Sequence, residues 1–188
     1  MSSPPDLPPI VTSALDRARR LGFVSSARLE TGRLLAAVAA GRGGVLAETG
    51  TGAGVGAAWI ASVLRPGARL VTIDREASLT ESATVLFAGD DRVTVLGGDW
   101  TGLAAHGPFS LLFVDGGAKQ DGPDAVADLV EPGGTVVLDD FTPSDSWPPF
   151  YRGRIDSLRE SWLTDERFVA AEVAVTADAA VLLATRRG

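Results

Sequence analysis

The stretch that most constrains this chain is Val45–Gly56, which reads Val-Leu-Ala-Glu-Thr-Gly-Thr-Gly-Ala-Gly-Val-Gly. A short apolar run ends in Glu48, Gly50, Gly52, Gly54 and Gly56 fall on alternate positions, and helical character resumes over Ala57–Leu64. That order is a strand, a glycine turn and a helix start. Glycine lets backbone approach a ligand closely, and a helix N-terminus offers free N–H groups. A second apolar strand, Leu70–Ile73, ends in Asp74, eighteen residues beyond Gly56. An acid so placed typically takes the two hydroxyls of a ribose. The pattern predicts a nucleoside-containing cofactor. Gly52-Ala-Gly54-Val-Gly-Ala57 also satisfies the Gly-x-Gly-x-x-Ala pattern of NAD-binding turns. The glycines alone therefore leave the cofactor open.

Around the turn, strands and helices alternate. Helical spacing covers Ile10–Leu21 and Ala27–Ala40, the second with Ser25 or Ser26 as N-cap. Strands are expected at Val45–Glu48, Leu70–Asp74, Val93–Leu96, Leu111–Asp115 and Thr135–Asp139, with helices at Gly56–Leu64, Ala77–Ala88 and Ala125–Val130. Several of the strands are continuous apolar runs, as in a parallel sheet covered by helices on both faces. The end of the chain differs. After a helix at Ile155–Leu163, two strands, Val169–Thr176 and Ala179–Thr185, are joined only by Ala177-Asp178. So short a link requires an antiparallel hairpin, whereas a dinucleotide dehydrogenase domain normally continues with parallel strands. The predicted fold is α/β: a Rossmann-like, seven-stranded, mostly parallel sheet with a C-terminal antiparallel hairpin. A single domain is expected over residues 10–188, with helices over 10–41, after a Ser/Pro-rich flexible arm at 1–9.

Composition removes several function classes. The formal net charge of −7 argues against nucleic acid as the main partner, because phosphate binding needs clustered Lys and Arg. No apolar run approaches the roughly 20 residues that cross a bilayer. The first residues lack the basic start and apolar core of a signal peptide. The absence of cysteine excludes disulfides, thiolate metal sites and a cysteine nucleophile, and fits a cytoplasmic protein. Sixteen arginines accompany one lysine, Lys119, a bias typical of GC-rich bacterial coding DNA.

Glu48-x-Gly50-x-Gly52-x-Gly54, the acid at Asp74 and the closing hairpin together resemble the class I S-adenosylmethionine-dependent methyltransferases, over about Ser25 to Thr185. More narrowly, the chain resembles the catechol and caffeoyl-CoA type O-methyltransferases. Ser25–Leu35 is similar to that family's opening helix, Gly98-Asp99-Trp100 sits where the family contacts adenine, and Asp115, Asp139 and Asp140 sit where it holds its metal. The resemblance implies that Glu48 helps hold the methionine end near its ammonium group. It also implies that Gly50, Thr51, Gly52, Gly54, Gly56, Asp74, Arg75, Asp99, Trp100 and Asp115 line the cofactor site. Homodimers are common in bacterial members, and the N-terminal helices could serve as the contact.

On that resemblance, strands four and five are neighbours, and three carboxylates meet at the edge where open α/β sheets bind ligands. Clustered carboxylates repel and need a cation. All-oxygen ligation suits Mg²⁺, Ca²⁺ or Mn²⁺, although the family pattern usually has Asn at the position of Asp140. Lys119 follows Asp115 by four residues, one more than the family's catalytic lysine, and is expected on a loop as the base on the substrate hydroxyl. His106, the only histidine, is expected to be exposed. Trp59 and Trp162 are read as core. Phe141 and Trp147–Tyr151 form an aromatic and proline segment that suits equally a wall for a flat aromatic acceptor, the cover of a sheet edge or a dimer contact. The expectation is methyl transfer to a small, aromatic or vicinal-diol hydroxyl with a divalent metal. A metal-independent methyltransferase, a non-catalytic nucleoside-cofactor binding protein and an NAD-dependent oxidoreductase stand as alternatives.

Overall fold

The structure is a computed structural model that describes residues 6–188. Two helices, α1 (Pro9–Leu21) and α2 (Leu29–Ala40), precede β1 (Val45–Thr49), α3 (Val55–Ala61), β2 (Arg69–Asp74), α4 (Ala77–Phe87) and β3 (Val93–Gly97). A 3-10 turn at Trp100–Ala105 leads to β4 (Phe109–Val114), α5 (Ala118–Val126) and the long β5 (Val130–Phe141). A small hairpin, β6 (Phe150–Tyr151) and β7 (Arg154–Ile155), is followed by α6 (Ser157–Thr164), β8 (Phe168–Ala174) and β9 (Ala180–Arg186).

The seven-stranded sheet runs β3-β2-β1-β4-β5-β9-β8. Its first five strands are parallel, and β9 enters antiparallel between β5 and β8. The apolar runs explain the layering. Every residue of β4 is buried, so it needs cover on both faces. Leu46, Leu111 and Phe113 pack with α1–α3 on one side, and Leu112, Val114 and Leu138 pack with Val126 and Trp162 on the other. Trp59 and Trp162 are both core residues, as expected.

Residues 1–5 of the expected arm lie outside the described residues; α1 begins at Pro9, and Leu7 packs on the core. Three expectations change. The N-cap of α2 is Arg28, with no side-chain cap from Ser25 or Ser26. The helix expected at Ala125–Val130 is preceded by a helical turn that begins at Ala118 and is broken from it at Gly122, so Lys119 stands in that turn rather than on a loop. The Pro-rich segment after β5 forms β6–β7 in addition to a wall. Among the described residues, no helix is long and apolar enough to cross a membrane.

Candidate functional site

Strand register gathers the candidate residues. Thr49 pairs with Ile73 on one side and Val114 on the other, and Val114 pairs with Leu138. Asp74, Asp115 and Asp139, each one residue further on, therefore leave the sheet together at the C-terminal edge of its strands. The glycine turn is tied to the same edge, because the N–H groups of Gly50 and Thr51 both donate to the Ile73 carbonyl, at 2.9 and 3.2 Å. Gly50 has φ 84°, and a Cβ there would collide with the Asp115 carbonyl.

Two cavities of about 190 and 220 Å³ flank this point and share Gly50, Asp74 and Asp115, making one bent trough. One arm is lined by Ser25, Ser26, Thr51, Gly52, Gly56 and Asp140. The other is lined by Arg75, Gly98, Trp100 and Gly117. At the bend, Asp74 accepts from the Gly52 N–H at 2.8 Å and the Glu76 N–H at 2.9 Å, one on each oxygen. A carboxylate oxygen has a second acceptor site, so both can still take ribose hydroxyls. Trp100 is held by Nε1 donating to Asp121 at 3.1 Å, with its ring on the trough wall. Ser26 Oγ is buried and has no hydrogen-bond partner. A buried hydroxyl left unpaired is costly, and a polar ligand in this arm would satisfy it. An acid at the bend, an aromatic at one end and unpaired polar capacity at the other suit S-adenosylmethionine.

Three expected cofactor residues support the trough without lining it. Glu48 is 1% exposed and sits beneath the turn, where it accepts from Thr72 Oγ1 at 2.6 Å. It fits there because Gly56 has no side chain, and a Cβ at Gly56 would collide with Glu48 Oε1. Glu48 is therefore enclosed beneath the turn and lines neither arm of the trough. Burial holds its carboxyl well above the usual range, with Asp115 and Asp74 adding to the effect and the Thr72 bond opposing it. Gly54 is the left-handed N-cap of α3, packed on Leu86 and Phe87. Asp99 caps the 3-10 turn, accepting from the Thr101 N–H at 3.1 Å and its hydroxyl at 2.8 Å.

The three-carboxylate arrangement differs from expectation. Asp115 is half-buried, and burial, then Asp139 and Asp140, push its carboxyl up to about 8 while Lys119 opposes them. Asp139 accepts from Thr31 Oγ1 at 3.2 Å and is 5% exposed, and burial raises its carboxyl as well. Asp140 has φ 63° and an exposed side chain. Lys119 reaches back from α5, its Nζ donating to the Asp139 carbonyl at 3.0 Å and lying 3.8 Å from Asp140 Oδ2. Among the described residues, no group of three or more His, Cys, Asp or Glu side chains converges as a metal would require. Asp115, Asp139 and Asp140 supply the oxygen donors a divalent cation takes, but their side chains do not converge on one point in this structure. The lysine stands among these acids as their compensating cation.

Beyond Asp140 a third cavity, of about 740 Å³, lies against the β6–β7 hairpin and the start of α6. Its walls include Lys119, Phe141, Tyr151, Arg152, Arg154 and Arg159. Asp140 lines both this cavity and the Ser26 arm of the trough. His106 is exposed at the end of the 3-10 turn, away from these cavities. Ser26, Thr31 and the three arginines escaped sequence reasoning. Arg152-Gly153-Arg154 beside aromatic residues was the one visible signal.

A sequence model of the family described as Protein-L-isoaspartate(D-aspartate) O-methyltransferase matches residues 21–140. The chain is 35% identical over 95 residues to a protein-L-isoaspartate O-methyltransferase of Methanopyrus kandleri, covering 48% of this chain and 42% of that protein. It is 35% identical over 140 residues to a provisionally named O-methyltransferase of Mycobacteroides abscessus, covering 69% of this chain and 64% of that protein. The chain thus spans less than two thirds of either relative. The O-methyltransferase TomG of Streptomyces achromogenes, solved in complex with SAM, superposes with a TM-score of 0.77 at 23% identity, over 97% of this chain and 92% of TomG. That likeness is one of fold.

Proposed function

This chain belongs to the protein-L-isoaspartate(D-aspartate) O-methyltransferase family of class I S-adenosylmethionine-dependent methyltransferases, and from that premise we propose that it methylates an oxygen of a small acceptor. The observation that carries the reading is the junction at Asp140, whose side chain borders the trough on one side and the large cavity on the other. Donor and acceptor held in those two spaces meet there.

S-adenosylmethionine bound in the trough supplies a sulfonium methyl group for transfer. Asp74 holds the ribose, Trp100 flanks the base and Ser26 binds the polar methionine end. Lys119 Nζ, already a donor to the Asp139 carbonyl, holds the acceptor oxygen as it gains negative charge. The neighbouring Asp140 carboxylate takes the hydroxyl proton. Phe141 and Tyr151 favour an aromatic acceptor, and a hydroxyl held beside Lys119 and Asp140 would be positioned for transfer. Lys119 among the acids favours the metal-independent form of this chemistry over the divalent-cation form.

Methyl transfer to catechol, followed as S-adenosylhomocysteine formation, tests the reading. Turnover stays within about twofold in excess EDTA, since no Lewis acid is required. Asp140→Asn lowers kcat by about 10²- to 10⁴-fold, the usual reach of a proton-transfer group, Lys119→Met lowers it by about 10²- to 10³-fold, as loss of an oxyanion donor does, and both leave S-adenosylhomocysteine affinity near wild type. Turnover abolished by EDTA and restored by Mg²⁺ would reinstate the three-carboxylate metal site. Cofactor binding without turnover of any hydroxyl acceptor would identify a cofactor-sensing protein instead.

A further inference from the structure

We propose that the large cavity selects acceptors that carry a second, non-reacting anionic group, a carboxylate or a phosphate. This rests on the acceptor role given to that cavity above. The chain as a whole is anionic, with a formal charge of −7, yet this cavity gathers Lys119, Arg152, Arg154 and Arg159 against only two acids, Asp140 and Asp156. Among the described residues, neither Arg152 nor Arg154 has a carboxylate within ion-pair distance. Both flank Gly153 at the tip of the β6–β7 hairpin, and the Arg152 guanidinium lies 5.0 Å from the Tyr151 ring centroid.

Arg159 adds an independent observation. It is 1% exposed, and it spends Nε on Asp156 at 3.2 Å and Nη1 on Glu172 at 2.7 Å. Its Nη2 is shielded from solvent and has no partner. Buried guanidinium donors are normally all satisfied, so Arg159, which lines the cavity with its guanidinium 5.2 Å from the Phe141 ring centroid, keeps one donor without a partner. A guanidinium fork matches the paired oxygens of a carboxylate or phosphate. Lys119 is engaged at the other end by Asp139 and Asp140, so the reacting oxygen sits there and the anionic group sits toward the arginines. The overall negative charge repels polyanions such as nucleic acid, leaving a small ligand as the occupant.

Calorimetric titration of the S-adenosylhomocysteine-loaded protein with benzoate, phenyl phosphate and neutral benzamide tests this. At least one of the two anions binds about tenfold or more tightly than benzamide, as charge-assisted bonds require, and the stronger anion identifies the group. Arg152→Gln with Arg154→Gln abolishes the preference while S-adenosylhomocysteine affinity, which reports folding and the trough, is unchanged. Arg154→Lys alone retains part of the preference. Equal binding of the three probes, no binding of any, or discrimination surviving in the double variant overturns the proposal. The prior S-adenosylhomocysteine titration separates the two readings. Cofactor binding without anion preference sinks only this inference, whereas anion preference without cofactor binding leaves an anion site but sinks the methyl-donor reading and the acceptor role with it.

Discussion

Glu48 sits in a closed space under α3, bonded to Thr72. In the unfolded chain it titrates near 4.5, and in the folded protein well above that. The folded state therefore holds a proton that the unfolded chain releases. Stability falls as pH rises from about 4.5 through the folded value and is level beyond it. Glu48→Gln keeps the shape without the charge. Its amide donates to Thr72, which can in turn donate to Thr51, 2.6 Å away. Urea unfolding should show this variant close to wild type at pH 4 and increasingly more stable toward pH 8. Parallel curves at all pH values would contradict a buried neutral carboxyl. Gly50→Ala should destabilise by about 1–3 kcal/mol, as overpacking does, and should weaken cofactor binding, because its Cβ meets the Asp115 carbonyl. Unchanged stability and affinity would show that the turn can move aside. The residue types of the turn were legible in the sequence. The direction of Glu48 was not, since it depends on the space that Gly56 leaves beneath the helix.

The site is assembled from elements of unequal legibility. β1, β2 and β4 are continuous apolar runs, and their ends put Asp74 and Asp115 where expected. α5 was hidden for two reasons. Its first turn, Ala118-Lys119-Gln120-Asp121, has no apolar period, and Gly122 breaks the helical dihedrals just before Pro123. Placing Lys119 on that helix turns its Nζ toward the Asp139 carbonyl and Asp140, beside the three carboxylates. α6 was seen, but its role was not. Arg159 fastens it to β8 through Glu172 and to its own N-cap Asp156. Arg159→Ala leaves those acids unpaired and should cost about 3–5 kcal/mol in urea unfolding, as breaking a buried pair does. Arg159→Met together with Glu172→Gln should recover much of the loss. A loss under about 1 kcal/mol for the single variant would mean that solvent already screens the pair.

At the scale of the whole molecule, strand order decides where ligands go. The sheet is built outward from β1 in one direction through β2 and β3, and in the other through β4 and β5. The crevice opens where that order reverses, between β1 and β4, where Gly50 touches Asp115. The alternation of strands and helices and the short link between the last strands, expected as Ala177-Asp178 and found as residues 175–179, made this architecture readable in the sequence. The charge distribution was not readable, because Arg152, Arg154 and Arg159 come from a hairpin and a helix that converge only in the folded chain. The same trough geometry favours one of the two cofactors that the glycine pattern allowed. One bend, one ribose acid and one aromatic wall accommodate a single nucleoside joined to an amino acid. Titration calorimetry with S-adenosylhomocysteine and with NAD, each with and without EDTA, is the most direct measurement. S-adenosylhomocysteine should bind one-to-one irrespective of chelator, and NAD should give no saturable heat. Saturable NAD binding with none for S-adenosylhomocysteine would contradict a methyl-donor site.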